Sequence, residues 1–516
     1  MPPRIILLKE QRSLTEFTTS LLINQAMSSK VDEECAPRDI AAPPSPPSSS
    51  SSSFFSKWAM DMKHIIFFEL RQQRGIALPL IVMNLAWFLK TAITTAYLGR
   101  LGELQLAGGT LGFTFANVTG FSVLTGLSYA VEPICGQAYG ARNYNLLHKT
   151  LFMAILMLLL ASIPISFLWL CLDKILLFFG QQEDITNLAK KYVIYLLPDL
   201  VVTSFLCPLK AYLSSQGITL PTLFSSAVGL ALHIPLNILL SNAMGLIGVA
   251  MAVWLSDLTV AISLALYVFI REGNKGGGWL EQSVSEWLRM IKLSASCCLT
   301  TCLEWWCYEI LVLIAGRLPD PRRALAVLAV VLNFDYLVFS VMLSLATCAS
   351  TRVSNELGAG RAMAARSSAY VSLGISVISG FLGGSVMLAV RGEWGLLFSH
   401  DKLVISAVKR MMMLMGGIEL VNFPLTVCGG IARGTARPWM GMYASLGGFY
   451  LVALPLSLLF SFRVGMGLAG LLLGFLFGGA TSLLLLLVFI ALIDWADESE
   501  KAHKLANSVE IQAGSI

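Results

Sequence analysis

The chain has 516 residues, of which 56% are hydrophobic and only 13% are charged. An average soluble domain carries about 25% charged residues, so this composition excludes an ordinary soluble enzyme and indicates a protein that crosses a membrane many times. The net charge of +5 is spread along the chain, which argues against nucleic-acid binding.

Residues 1 to about 55 differ in composition from the rest of the chain. Residues 41–55 read AAPPSPPSSSSSSFF, a tract rich in Pro and Ser that cannot bury a hydrophobic core. Residues 1–26 lack the long apolar segment of a cleaved signal peptide. We therefore predict a largely disordered cytosolic tail over residues 1–75.

Twelve apolar runs follow, each of about the length that spans a bilayer. They cover residues 76–98, 104–130, 149–171, 192–214, 221–241, 245–270, 291–315, 324–350, 368–390, 409–431, 438–460 and 466–493. A polar break at 271–289, with three consecutive glycines at 276–278, separates six runs from six. The predicted domains are an N-lobe over 76–270, a cytosolic linker over 271–290, a C-lobe over 291–493 and a cytosolic tail over 494–516.

The distribution of positive charge indicates how the chain is oriented. An even number of spans places both tails on one side of the membrane, and Lys and Arg are more frequent in the segments on that side. The positive-inside rule then places both tails in the cytosol. The membrane itself is predicted to be either the plasma membrane or an internal membrane.

An internal repeat relates the two sets of six spans. Gly99-Arg100-Leu101 and Gly316-Arg317-Leu318 lie 217 positions apart, and Gly140-Ala141 and Gly358-Ala359 lie 218 apart. Six spans per repeat leave both halves in the same orientation, so we expect two lobes related by a pseudo-twofold axis along the membrane normal. The predicted fold class is therefore an all-α membrane protein with twelve transmembrane helices in two six-helix lobes and a substrate cavity between them.

The ten cysteines favour neither a disulfide framework nor a metal site. All except Cys35 lie in or beside apolar runs, and the chain contains no CxxC pair. We interpret them as small packing residues, and we expect no metal ion and no cofactor.

Ionisable residues inside a span need an explanation, because each costs about 2.5–3.5 kcal/mol at the centre of a bilayer. Glu304 lies near the middle of the seventh span, with Tyr308 one turn further on the same face. Burial disfavours the charged form of such a carboxyl, as a proton-coupling group requires. The alternative is a buried carboxyl held by hydrogen bonds between helices. Glu309 points about 140° away from Glu304 and lies nearer the end of the span.

Other polar residues within the spans are candidates for the lining of a substrate cavity. Glu419 and Asn422 share a face of the tenth span, next to a bend expected at Pro424. The predicted cavity residues are Tyr308, Glu419, Asn422, Asn333, Asp335 and Asn84. Lys90 in the first span is either a functional residue or a side chain that extends to the membrane interface.

Five short segments are the most specific part of the sequence. They are LGRLGELQLAG (98–108), EPICGQAYGA (132–141), CLEWW (302–306), STRVSNELGAG (350–360) and IARG (431–434). Together they resemble plant members of the multidrug and toxic compound extrusion (MATE) transporters, often called the DETOXIFICATION proteins. The resemblance covers about residues 76–497.

The resemblance implies a two-lobed antiporter with twelve helices that exports organic solutes against a proton gradient by alternating access. The acidic residue of the family in the seventh span corresponds to Glu304, and its second carboxyl corresponds to Glu309. Many plant members have an Asp in the tenth span at the position of Asn422, and here the nearest carboxyl is Glu419, one turn earlier. The implied partners are a small organic solute, protons and the lipid bilayer, with a monomeric chain and no nucleic acid.

Three other functions compete with a proton-coupled exporter of organic cations, xenobiotics or plant metabolites. An exporter of organic anions or hormone-like acids would depend on Lys90 and Arg433. A transporter-like sensor or scaffold would bind a partner through the Pro/Ser tail. An intramembrane enzyme is disfavoured because the spans contain neither a His pair nor an HExxH motif.

Overall fold

The computed structural model describes the backbone of residues 51–272 and 283–513, and the side chains of residues 63–271 and 283–506. The predicted tail over 1–50 and most of the predicted linker lie outside the described residues. The chain divides into two compact units, Met1–Asp61 and Met62–Ile516, and the bundle of transmembrane helices belongs to the second. Within the described ranges all regular secondary structure is helical.

Thirteen long helices make up the described part of the chain. In order they are α1 (Ser51–Arg100), α2 (Glu103–Gly140), α3 (Tyr144–Leu170), α4 (Glu183–Leu196 and Pro198–Ser215), α5 (Leu220–Met244), α6 (Leu246–Glu272), α7 (Val284–Ala315), α8 (Pro321–Gly358), α9 (Ala362–Val390), α10 (Lys402–Gly434), α11 (Trp439–Arg463), α12 (Leu468–Ala491) and α13 (Trp495–Ala513). Helices α2 and α11 contain π-helical turns, at Asn117–Phe121 in α2 and at Leu446–Ala453 and Leu459–Arg463 in α11.

The structure confirms the prediction of twelve spans. Eleven of the described helices are long and apolar enough to cross a membrane. The two halves of α4 pass the same test together, although they are bent by 51° where Pro198 begins the second half. Proline lacks a backbone N–H and its ring clashes with the preceding turn, which explains the bend. Counting α4 as one span gives six helices in each half of the chain.

Local sequence signals explain where several helices begin. Ser283 and Glu286 form a capping box at the start of α7, in which each side chain bonds to the backbone N–H of the other residue. The side chains of Asn143, Asp320 and Asp401 accept a hydrogen bond from a backbone N–H two or three residues further on, at the starts of α3, α8 and α10. These bonds satisfy N–H groups that a helix leaves unpaired at its first turn.

The first span begins earlier than the sequence analysis predicted. The chain is helical from Ser51, so the prediction of a disordered tail over 1–75 is wrong for residues 51–75. The apolar run begins at residue 76, after a segment with charged residues at 69, 71 and 74. In the structure Glu69 is buried, and its carboxylate lies 2.8 Å from the guanidinium of Arg352 in α8. The helix therefore enters the bundle without leaving this charge unpaired.

The helix ends reproduce the internal repeat. Helix α2 ends at Gly140 and α8 at Gly358, 218 positions later, while α4 ends at Ser215 and α10 at Gly434, 219 positions later. The loops that follow these helices repeat as well, because each contains a residue with positive φ. The four residues are Arg142 (62°), Gly217 (72°), Gly360 (76°) and Ala436 (56°). The two halves of the chain are thus two copies of one six-helix lobe.

The two ends of the bundle differ in the elements that lie there. Helices α2, α4, α8 and α10 end at the same side, where α13 also lies, and we call this side the tail face. We call the opposite side the loop face. Phe423, Phe449 and Phe475 fill the centre of the C-lobe core, and Trp169 is the largest fully buried side chain of the N-lobe. The outer surface carries exposed apolar side chains, as contact with lipid requires.

Candidate functional site

The two lobes meet closely at the tail face, where glycines of α2 lie against the end of α8. A Cβ atom on Gly140 would lie 2.1 Å from the carbonyl oxygen of Asn355, and one on Gly358 would lie 2.0 Å from the carbonyl oxygen of Gln137. Real Cβ atoms do not approach other atoms so closely. Only glycine allows this contact between backbones, which closes the tail face.

A buried ion pair spans the lobes beside this contact. The carboxylate of Glu132 in α2 lies 3.3 Å from the guanidinium of Arg433 in α10, and the two side chains are only 2% and 12% exposed. The hydroxyl of Thr347 donates to the other oxygen of Glu132 at 3.4 Å. The Arg433 guanidinium also lies 4.5 Å from the centre of the Tyr129 ring. These contacts join α2 of the N-lobe to α8 and α10 of the C-lobe.

Helix α1 strengthens the closure by binding the C-lobe at its tail-face end. Besides Arg352, the carboxylate of Glu69 accepts a hydrogen bond from Ser368 of α9 at 2.8 Å. The amide of Gln73 donates to the Ser368 carbonyl at 3.2 Å and accepts from the Ser372 hydroxyl at 3.1 Å. The tail-face half of α1 is thus stabilised by contacts with the C-lobe, although α1 is the first helix of the N-lobe in sequence.

An open cavity of about 380 Å³ lies between α2 and α7, towards the loop-face end of α7. Its walls are almost entirely apolar, and its lining residues are Val118, Thr119, Val123, Leu168, Trp306, Glu309, Ile310 and Leu313. The indole N–H of Trp306 donates to the carbonyl of Val118 at 3.2 Å, within the π-helical turns of α2. This turn thus presents a carbonyl to the lobe interface, and Glu309 is the one ionisable group among the lining residues.

Glu304 is half-buried in α7. It lies within electrostatic reach of Asp335 in α8 and of Arg433. No hydrogen bond to its carboxylate comes from the part of the chain that the structure describes. Glu304 is therefore not held by hydrogen bonds between helices, which was the alternative interpretation.

A pair of carboxyl groups lies deeper in the C-lobe. Asp335 and Glu419 are 4% and 0% exposed, and their side chains lie within hydrogen-bonding reach of each other. Both oxygens of Glu419 and one oxygen of Asp335 lack a hydrogen-bond donor among the described residues. Two facing carboxylates repel, and a proton held between them converts this repulsion into a hydrogen bond. A proton shared by Asp335 and Glu419 would therefore stabilise the pair.

Tyr308 lies within electrostatic reach of Asp335, Glu419 and Glu304. Its ring packs 4.6 Å from that of Phe475 in α12. The cavity next to it measures only about 10 Å³, roughly the space that one water needs. In this conformation Asp335 and Glu419 are shielded from solvent, whereas Glu304 is only half-buried.

The other predicted cavity residues occupy different surroundings. Asn422 is buried, and its side chain faces Gly479 of α12, while the Asn422 carbonyl accepts a bond from Thr426 at 2.8 Å. Asn84 of α1 donates to the hydroxyl of Ser344 in α8 at 2.8 Å, across the two halves. Asn333 is exposed, on the other side of α8 from Asp335. The eight predicted site residues thus fall into three sets. Glu309 lines the cavity, and Asn84 and Asn333 lie apart from the other site residues. The remaining five form a group in the C-lobe, which consists of Glu304, Tyr308, Asp335, Glu419 and Asn422.

The N-lobe contains a polar cluster that the sequence analysis did not recognise as one site. The ammonium of Lys90 lies 2.6 Å from the carboxylate of Asp257 and donates to the Val253 carbonyl at 3.1 Å. An extension of Lys90 to the membrane interface is therefore wrong, because the side chain is buried. His233, which is completely buried, contacts the side chains of Thr94 and Asn237. The four-residue spacing of His233 and Asn237 was the signal that could have revealed this face of α5.

No group of three or more His, Cys, Asp or Glu side chains that could hold a metal ion occurs among the residues whose side chains are described. The nine cysteines in this range are free, and most are buried.

Comparisons with known proteins identify the family to which this architecture belongs. The MatE family model matches residues 79–239 and 296–459, one block in each lobe. Protein DETOXIFICATION 56 of Arabidopsis thaliana is 59% identical over 448 residues, which is 86% of this chain and 91% of that protein. Protein DETOXIFICATION 48 of the same plant is 39% identical and covers 85% of this chain and 83% of its own length.

Solved structures agree with these matches. The crystal structure of the eukaryotic MATE transporter AtDTX14 superposes with a TM-score of 0.81 at 31% identity, over 86% of this chain and all of that one. A multidrug resistance MATE transporter solved in an outward-facing conformation has a TM-score of 0.76 at 14% identity, covering 83% of this chain and 96% of that one, and it shares the fold. Two homologous lobes of six helices, the matching motifs and these relatives together establish that the chain belongs to the MATE family of secondary transporters, and that it is not an enzyme.

Proposed function

We propose that the protein is a proton-coupled antiporter that exports small organic solutes by alternating access. The observation that carries this proposal is the buried pair of Asp335 and Glu419, whose carboxyl oxygens have no donor within the described part of the chain. An uncompensated pair of this kind in a membrane protein needs a proton, and a transport cycle can add and remove one.

The position of Glu304 supports a path for that proton. The half-buried Glu304 lies within electrostatic reach of both Asp335 in the buried pair and Arg433 in the ion pair between the lobes. A carboxylate at the border of the core can exchange a proton with water and then with a deeper group. Protonation of the C-lobe group would remove its charge and allow the lobe to repack.

The chemistry of the loop-face cavity favours an apolar solute that is neutral or cationic. The walls are apolar, and Glu309 is the one ionisable residue that lines them. Trp306 adds an aromatic surface beside this carboxylate, which suits a planar cation. Organic cations, xenobiotics and apolar plant metabolites are therefore the proposed substrates.

Export of organic anions is less well supported. The two basic residues that would bind an anion are already neutralised, because Lys90 lies 2.6 Å from Asp257 and Arg433 lies 3.3 Å from Glu132. A sensor or scaffold acting through the Pro/Ser tail concerns residues outside the described range. An accumulation assay in cells that express the chain separates transport from that function.

The proposed orientation places the tail face in the cytosol. Positive charge in the flanking segments supports this orientation, in a plasma membrane or an internal membrane. The loop-face cavity then lies on the side of the bundle away from the cytosol.

The test uses purified protein in sealed vesicles with an imposed pH gradient and ethidium, a fluorescent organic cation, as the solute. The wild type should move ethidium against its gradient. Glu419→Gln should abolish the movement driven by the gradient, because the amide cannot exchange a proton. Glu103→Gln, at an exposed carboxylate, is the matched control. Gradient-driven movement that survives in both Glu419→Gln and Asp335→Asn would contradict the proposal, since the carboxyl pair would then be unnecessary.

A further inference from the structure

Helix α13 is amphipathic and lies on the tail face. Trp495, Ala502 and Ala506 on one of its sides are buried against the bundle, at 7%, 4% and 2% exposure. The opposite side carries charged residues that pair along the helix, Asp497 with Lys501 and Glu500 with Lys504. A charged helix that only followed the last span would be surrounded by water. Helix α13 instead has one side buried against the bundle, which we call its docked side.

Most contacts of α13 are with the C-lobe. The carboxylate of Glu498 pairs with Arg437, in the loop between α10 and α11. The hydroxyl of Ser499 donates to the carbonyl of Leu357 at 3.5 Å, and a ring nitrogen of His503 lies 2.9 Å from the carbonyl of Gly358. These contacts hold the first half of α13 to the end of α8 and to the loop between α10 and α11.

The second half of α13 reaches across to the N-lobe. The side-chain amide of Asn143 donates to the backbone carbonyl of Ala506 at 2.6 Å. The oxygen of the same side chain accepts from the backbone N–H of Leu146 at 2.9 Å and caps α3. The side chain of Asn143 is only 2% exposed, so both bonds are shielded from water. Because α13 binds both lobes, it bridges the contact between them.

The bridge lies over the contact that must break when the tail face opens. Gly358, whose carbonyl is next to His503, is the residue that meets Gln137 of α2 between the lobes. The loop after α2 contains Asn143, and α13 also contacts the last segment of α2. Separation of α2 from α8 would pull Asn143 away from Ala506, while the several contacts of α13 with the C-lobe could stay.

We propose that α13 is a strap that holds the tail face closed, and that it opens by releasing Asn143 while it remains attached to the C-lobe. Through this strap, the C-terminal helix of the chain determines how often the tail face opens. The inference relies on the proposed alternating access for its role, but it concerns a conformational equilibrium that can be measured without any solute or proton gradient.

The decisive variant is Asn143→Asp. Aspartate keeps the oxygen that caps α3, and it is an equally good capping residue. It lacks the N–H that binds the Ala506 carbonyl and places a negative charge there instead. The exchange therefore removes the bridge and preserves the helix start. Ala506→Arg is a second variant, since a long charged side chain does not fit at a position with 2% exposure. Lys504→Ala is the control, because it affects only the outer side of α13.

The measurement is the distance between spin labels on cysteines at Asn145 of the N-lobe and Met363 of the C-lobe, both exposed at the tail face. The labels are placed in a background without other reactive thiols, and distances are recorded in the purified full chain. One lost hydrogen bond should raise the ratio of tail-open to tail-closed molecules roughly 2- to 10-fold in Asn143→Asp, and at least as much in Ala506→Arg. Lys504→Ala should match the wild type.

An unchanged ratio in both Asn143→Asp and Ala506→Arg would overturn the strap. A change of the same size in Lys504→Ala would also overturn it, because the effect would then not depend on the docked side. If the ratio rises as expected but the wild type fails to couple ethidium movement to a pH gradient, the strap stands and the proposed function fails.

Discussion

At the scale of single residues, the buried carboxyl groups of the C-lobe have different surroundings and hence different expected roles. Glu304 is half-buried and has no hydrogen-bond partner among the described residues, whereas Glu419 is fully buried opposite Asp335. Glu309 lies apart from both, in the wall of the loop-face cavity. A group at the border of the core can exchange protons with water, and a group inside it can store one.

Glu304→Gln is expected to abolish export driven by a pH gradient and to leave the folded protein intact. Glutamine keeps the shape of the side chain and resembles the protonated carboxyl, but it cannot release a proton. Glu309→Gln should retain coupling and should weaken binding of a cationic solute instead. The measurement is ethidium efflux from proteoliposomes over a series of imposed pH gradients, with equal amounts of folded protein. Normal uphill export by Glu304→Gln would exclude this residue from the proton path.

The pair of Lys90 and Asp257 permits a prediction about stability. Their side chains are 11% and 19% exposed, so Lys90→Met leaves a buried carboxylate without its partner, at a cost of about 3–5 kcal/mol. The double variant with Asp257→Leu should recover most of that loss, since an apolar pair of similar volume replaces the ion pair. Thermal unfolding in detergent measures both. A double variant that is less stable than Lys90→Met alone would show that Asp257 has another stabilising partner.

At the scale of secondary-structure elements, small residues determine how closely the helices of the two lobes approach. Gly140 in α2 and Gly358 in α8 occupy corresponding positions in the repeat and meet at one contact. A side chain at either position would separate the helices. The repeat thus uses the same small residue twice to make one close interface.

Gly140→Ala should loosen the contact between α2 and α8. The added methyl would lie 2.1 Å from a backbone oxygen that cannot move alone, so the tail-closed state should lose about 1–3 kcal/mol. Gly429→Ala is the control, since a Cβ there meets no atom within 4 Å, and alanine within a helix should be neutral or slightly stabilising. The melting temperature should fall only in Gly140→Ala. Equal melting temperatures in the two variants would mean that the close contact is not maintained in solution.

At the scale of the whole molecule, several interactions close the tail face, whereas an apolar cavity lies between the helices at the loop face. The glycine contact, the ion pair of Glu132 and Arg433, helix α1 and helix α13 all act at the same side. Opening the tail face requires those of these contacts that join the two lobes to break together. The loop face has an apolar cavity of about 380 Å³ at the corresponding place, so its closure would bury apolar surface.

Glu132→Gln should favour the tail-open state more strongly than loss of the strap. Removing one charge of a buried ion pair costs about 3–5 kcal/mol, which corresponds to a change of roughly a hundredfold or more in the ratio of the two states. Spin labels at Asn145 and Met363 measure that ratio. Glu393→Gln, at an exposed carboxylate, should leave it unchanged. An unaltered ratio in Glu132→Gln would show that the ion pair contributes equally to both states.

Most of the fold could be predicted from the chain, because the physical rules behind it are local. Twelve apolar runs, their order and the offset between the two halves depend only on segment length, hydropathy and repetition, and the structure confirms them. The start of α1 lies before the predicted start of the first span at residue 76, and this earlier segment carries the charge of Glu69. Only the position of Arg352, nearly three hundred residues further along the chain, shows that Glu69 is neutralised.

The sequence by itself determined the membrane class, the two-lobed repeat and the family, because composition, periodicity and motifs are properties of the chain alone. It also identified Glu304, Asp335 and Glu419 as polar residues within spans, one by one. Only the tertiary structure decided that Asp335 faces Glu419, that Lys90 pairs with Asp257, that Glu132 pairs with Arg433 and that α13 joins the lobes. The reason is that each partner comes from a different helix. The free energy of a buried charge depends on those neighbours, and spacing along a single helix does not specify them.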